Sequence, residues 1–140
     1  MKKITRMVIV AVMLILCFTL SACENKYVSH YSATLMVKKN TTSEASVSFS
    51  NFSGIYVMQL KNTGDEKHLL TYSATLEEGN IKVYYDFNDE KLNLFEIGTD
   101  GSIEGKTEKF TSNKTIYIII ESDGKCKAGS FSFALEKSES

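Results

Sequence analysis

The residues of this 140-residue chain that could do chemistry are few: two histidines, one acidic cluster and a scatter of tyrosines. A zinc site takes three or four nitrogen, sulfur or oxygen ligands, and neither His30 nor His68 has a carboxylate or cysteine at ligand spacing. Both read as surface residues at strand ends. The cluster Asp86-Phe87-Asn88-Asp89-Glu90 offers the oxygen ligands that calcium accepts. It lacks the glycine and spacing of an EF-hand loop, and Asp and Asn favour turns without any ion. A pair among Asp86, Asp89, Glu90 and Asp100 could hydrolyse a glycosidic bond only if a cleft held the two carboxyl groups roughly 5–10 Å apart. The sequence contains no G-x-S-x-G, P-loop or H-E-x-x-H motif. No catalytic residue, metal or cofactor is therefore assigned, and a non-enzymatic role is expected.

Positioning any site falls to strands. From Tyr31 onward the chain reads as short alternating runs separated by Gly, Asn, Asp and Ser clusters, the pattern of strands and turns rather than helices. Expected strands are Tyr31 to Lys38, Ser46 to Phe52, Gly54 to Leu60, Leu69 to Leu76, Ile81 to Phe87, Lys91 to Ile97, a weak charged run up to Phe110, Thr115 to Glu121 and Gly129 to Glu136. The loop Glu77-Glu78-Gly79-Asn80 reads as a hairpin turn between two strongly alternating strands. Eight or nine strands in this length predict an all-β fold, an antiparallel two-sheet sandwich of jelly-roll type. The pentamer YSATL occurs at Tyr31 to Leu35 and again at Tyr72 to Leu76, each copy placing Tyr, Ala and Leu on one strand face. The flanks differ, so this is no repeat unit.

Some strands are apolar on both faces. If Ile116, Ile118 and Ile120 point inward, Tyr117 and Ile119 point out; Tyr56 and Tyr84 pose the same problem in their own strands. Tyrosine supplies apolar area with a polar tip, and a contiguous exposed patch of this kind marks an interaction surface. Tyr56, Tyr84, Tyr117 and Ile119 are therefore the expected binding face. The competing expectation is that a crossing loop or the N-terminal segment covers it.

The N-terminus addresses the chain. Lys2, Lys3 and Arg6 precede an uncharged run from Met7 to Leu20, followed by the small pair Ser21-Ala22. That is the layout of a secretory signal peptide, and 14 apolar residues fall short of the roughly 20 that span a membrane as a helix. Leu20-Ser21-Ala22-Cys23 resembles the lipobox of bacterial lipoproteins at all four positions. The resemblance implies cleavage before Cys23, diacylglyceryl attachment to its sulfur and retention at the cell membrane on the extracytoplasmic face. It divides the chain into a signal peptide at 1–22, a short tether at 23–30 and a sandwich domain at 31–137. The closing stretch IYIIIESDGKCKAGSFSFALE resembles the end of small accessory β-sandwich domains of secreted bacterial proteins. A composition rich in Lys, Asn, Ser and Ile, without Pro, resembles small lipoproteins of Gram-positive bacteria.

Without Lys2, Lys3 and Arg6 the chain holds 13 Lys and Arg against 17 Asp and Glu, a net charge of about −4. A weakly acidic domain has no electrostatic footprint for nucleic acid and no basic cluster for anionic lipid. Membrane attachment then rests on Cys23. Cys126 is the one thiol left in the domain, so no internal disulfide is expected; Lys125 and Lys127 could favour its thiolate, and the plainer expectation is an unreactive cysteine in a turn. The functional expectation is a lipid-anchored, non-catalytic binding or adaptor module for a protein or an envelope glycan. A surface hydrolase using paired carboxylates, or a structural envelope subunit, is the alternative.

Overall fold

In the computed structural model, residues 3–5, 7–11, 26–61, 67–111 and 115–137 are described. Residues 3–5 and 7–11 are helical and exposed, and among the described residues no helix is long and apolar enough to cross a membrane. The lipobox, Leu20 to Cys23, lies outside the described residues. The described residues form nine strands: β1 (His30–Thr34), β2 (Val37–Asn40), β3 (Glu44–Lys61), β4 (His68–Glu78), β5 (Ile81–Asp86), β6 (Leu92–Ile97), β7 (Gly101–Lys106), β8 (Thr115–Ser122) and β9 (Cys126–Lys137). All the pairings are antiparallel.

β3 organises the molecule because it belongs to both layers. Its first half pairs with β2 on one edge and β9 on the other, and β9 continues to β4 and β7. Its second half pairs with β8, which continues to β5 and β6. Eighteen extended residues would reach roughly 60 Å, yet the Lys61 N–H donates to the Thr42 carbonyl at 2.8 Å. The strand therefore doubles back, and it does so at Gly54, whose φ of 112° lies outside the range of side-chain-bearing residues. A Cβ there would run into the His30 carbonyl oxygen, and the Ser122 hydroxyl takes the Gly54 N–H at 2.7 Å. The break expected at Ser53-Gly54 is a bend within one strand.

Alternation puts one apolar face of each layer inward. Ala45, Val47, Phe49, Ala74, Phe131 and Phe133 meet Met58, Leu60, Ile81, Val83, Ile116, Ile118 and Ile120 in one core. Phe95 bridges the layers, with its ring 6.4 Å from Phe131, 6.3 Å from Phe133 and 4.9 Å from Tyr72. The two-sheet, all-β architecture expected from the sequence is the one observed.

The hairpin expected at Glu77-Glu78-Gly79-Asn80 is not a hairpin. β4 pairs with β7 and β9, and β5 with β6 and β8, so the corner at Gly79-Asn80 crosses between layers. The corner from β8 to β9 crosses in the same way. The two corners hold one another: the Asn80 carbonyl accepts from the Asp123 N–H at 2.9 Å and from the Cys126 thiol at 3.6 Å. Gly79, at φ 114°, makes room for this, because a Cβ would lie 2.5 Å from the Cys126 sulfur.

The YSATL copies also part company. In the second, Ala74 and Leu76 are buried as expected. In the first, Leu35 takes a left-handed φ of 49° and is 81% exposed. One left-handed residue reverses the alternation, so Met36 packs against the core while Val37 faces solvent. Leu35 and Val37 do not share the inward face of Tyr31 and Ala33.

Candidate functional site

The four residues expected to form a binding face do not share one surface. Tyr56 alternates with Met58 and Leu60 and packs against the core, its ring edge-on to Tyr31 at 5.3 Å and below Lys38 at 5.5 Å. Burial pushes its phenol pKa up. The other three do lie on the outer face of the β3–β8–β5 layer, where the register places Tyr84, Ile119 and Val57 in one row and Asp86, Tyr117 and Gln59 in the next. They are covered. Ile119 is only 1% exposed. Lys91 spans Tyr84, with its ammonium 4.3 Å from the ring centroid, and reaches Glu121 at 2.8 Å.

The second cover comes from residues 26–29 of the expected tether, which form a strap. The Val57 N–H donates to Ser29 Oγ at 2.9 Å, and Tyr27 sits edge-on against Tyr117 at 5.3 Å. The Tyr27 hydroxyl donates to Asp86 Oδ2 at 2.7 Å, and Lys26 Nζ bridges Asp86 at 2.7 Å and Asp89 at 3.0 Å. This is why a carboxylate tolerates 1% exposure. Burial alone would raise the Asp86 pKa; the hydrogen bonds from Lys26 and Tyr27 and the Lys26 charge outweigh it and hold the carboxyl below its ordinary value. The Lys26 ammonium is held well above its own, by hydrogen bonds to Asp86 and Asp89.

The remaining candidates separate. Asp86 and Asp89 share the lysine, whereas Asp100 sits in a turn at the Gly79 corner, its N–H donating to Glu77. His30 is exposed at the start of β1. His68, expected at the surface, is buried at the start of β4, where its backbone exchanges two 2.8 Å hydrogen bonds with Phe110. Among the described residues no three or more His, Cys, Asp or Glu side chains gather as a metal site. Cys126 is fully buried, and that burial raises its thiol pKa; the flanking lysines do not make it a thiolate.

The open surface lies on the other layer. A shallow groove of ≈ 710 Å³ runs across β2, β3, β9, β4 and β7. Pairing register builds its floor. One row reads Lys39, Ser46, Ser132, Ser73 and Glu104, and the next reads Glu44, Ala134, Thr71 and Lys106. Strands lie about 4.8 Å apart, so the first row spans about 19 Å. Each end of the groove carries one cation and one anion, and between them stand hydroxyls, which both donate and accept hydrogen bonds. Its aromatic lining, Tyr72 and Phe133, belongs to the inward-facing alternation and packs in the core. The sequence does carry the signal, as serines and threonines at every second position of β3, β4 and β9. It becomes a surface only once the register is known.

No family profile matches the sequence, and no curated protein matches it. Solved structures with a similar fold include a family 61 carbohydrate-binding module in complex with β-1,4-galactotriose, at 18% identity and a TM-score of 0.48 over 79% of this chain and 88% of that one. A family 4 carbohydrate-binding module gives 10% identity and a TM-score of 0.43, covering 79% of this chain and 78% of that one. A variant of a family 29 carbohydrate-binding module gives 13% identity and 0.41, covering 82% and 77%. At these levels the likeness assigns no shared site.

Proposed function

We propose that this chain is a lipid-anchored, extracytoplasmic binding module without catalytic activity, and that the groove across β2, β3, β9, β4 and β7 takes an uncharged envelope glycan. The observation that carries this reading is the groove's row of hydroxyls between balanced charges. A floor of Ser46, Ser73, Ser132 and Thr71 matches a ligand that is itself a row of hydroxyls. Protein partners are usually gripped by exposed Trp, Tyr or Arg anchors, and the outward rows of the groove hold none. A polyanion would meet Glu44 and Glu104 as well as the lysines. Hydrolysis is disfavoured because Glu44 and Glu104 stand on strands three intervals apart, about 14 Å of backbone separation, and glycosidic hydrolysis uses carboxyl groups roughly 5–10 Å apart. Anchoring is supported by Leu20-Ser21-Ala22-Cys23 after the uncharged run, since two acyl chains hold a protein durably where one does not.

The test is titration of the full chain, in detergent, with soluble neutral polysaccharides from bacterial envelopes, followed by calorimetry. Ser73→Lys and Ser132→Lys place charged stems across the floor while leaving the core intact. Binding that falls at least tenfold in both variants, with melting temperatures unchanged, is the expected result. Binding indifferent to both substitutions would remove the groove from consideration.

A further inference from the structure

The strap and the groove lie on opposite outer faces of the sandwich. From Ser29 at the edge of β3, the chain crosses Tyr117 on β8 and ends with Lys26 on Asp86 and Asp89 beyond β5. The groove is floored by the outward residues of the other layer. Only three residue steps separate Lys26 from Cys23, a reach of about 10 Å when fully extended. The two sheets alone stand about 10 Å apart, with outward side chains beyond each. Three residues are therefore too short a tether to carry Cys23 around to the groove floor while the strap is in place.

The strap side also suits contact with a bilayer. Val28 points out of the strap at 73% exposure and Ile55 is exposed on the same layer; of the charges around them, Lys26 is paired with Asp86 and Asp89 and Lys91 with Glu121, while Lys82 stands exposed in the row of Ile55 and Glu121. We infer that residues 26–29 are an orienting clamp: they turn the outer face of the β3–β8–β5 layer onto the lipid surface and leave the groove facing away from it. The inference rests on the anchoring at Cys23 proposed above. It makes the expected tether a part of the domain, and the sandwich cannot swing freely about its lipid.

The experiment uses the full-length lipidated chain, purified from membranes and reconstituted into phosphatidylcholine–phosphatidylglycerol vesicles, with one fluorophore at Val28→Cys, Ser73→Cys or Ser132→Cys. Cys126 is buried and takes no label. Flotation reads the anchoring, and quenching by lipids with nitroxide headgroups reads the orientation. The expected result is a floating protein whose Val28 label loses most of its emission while the Ser73 and Ser132 labels keep theirs. A Lys26→Ala/Tyr27→Ala double variant, checked for its fold by circular dichroism, should erase most of that difference. Equal quenching on both faces of a floating protein, stronger quenching at the groove, or a difference untouched by the double variant would overturn the clamp and leave the anchor standing. A protein that fails to float overturns both.

Discussion

The Tyr27 hydroxyl donates to Asp86 Oδ2 at 2.7 Å, across 59 residues of sequence, and joins the strap to the middle of the domain. Tyr27→Phe removes one hydrogen bond to a charged group at a partly exposed site, an expected loss of about 1 kcal/mol in denaturant unfolding.

The same carboxylate sets an acid limb. Because the Asp86 pKa is depressed in the folded state, its contribution to stability is present above the unfolded value near 3.9 and disappears as pH falls through the folded value. Lys26, whose pKa is raised, contributes at every pH below about 10.4 and fades only in strong alkali. The gap in melting temperature between the native chain and Asp86→Asn should therefore be wide and flat from about pH 5 to 9 and shrink below about pH 4. A gap that stays constant into acid would show that the carboxylate's charge is not what holds the strap.

Ile119 should behave as a core residue although it lies on an outer face. Ile119→Ala is expected to cost about 2–4 kcal/mol in urea unfolding. Val37→Ala, on an open edge, should stay within about 0.5 kcal/mol.

Leu35 can be improved. A side-chain-bearing residue in the left-handed region costs about 1–2 kcal/mol, against about 0.5–1 kcal/mol for the extra freedom glycine brings to the unfolded chain. With Leu35 at φ 49° and almost no contacts to lose, Leu35→Gly should stabilise by about 0.5–1 kcal/mol. A lower unfolding midpoint would count against the assigned conformation.

At the corner between layers, Gly79→Ala combines a strained φ with a Cβ forced onto the Cys126 sulfur, and about 3 kcal/mol of destabilisation is expected. Iodoacetamide should leave Cys126 unmodified in the native protein at pH 8 and alkylate it once denaturant is added. Rapid alkylation of the folded chain would show that the corner opens.

The strands were legible because their alternation is local, as in Leu70, Tyr72, Ala74 and Leu76. The corners were not. A glycine between two alternating runs looks the same whether the runs pair side by side or face each other across a core, and long-range pairings separate the two cases, among them the contact between Asn80 and Cys126, 46 residues apart. The two-faced apolar pattern of Tyr117 and Ile119 was visible; that Tyr27 and Lys91 cover it was an open alternative, since no local pattern says what lies above a strand. Tyr56 was misplaced because the inward phase switches within β3, between Phe49 and Phe52, and no local pattern announces that switch. The groove was missed as a site for the same physical reason: Ser73 and Ser132 are neighbours only through the β4–β9 register.

That register also bears on how the chain can mature as it emerges from its N-terminus. Among the described strands β9 is the last in chain order, yet it is the one that joins the first half of β3 to β4. Until it arrives, β4 and β7 form an isolated pair, and two-stranded ribbons are marginal in water. Closure of the layer that carries the groove must wait for β9, so a nascent or truncated chain ending before Cys126 presents an unfinished sheet with two open edges to whatever proteases and chaperones meet it.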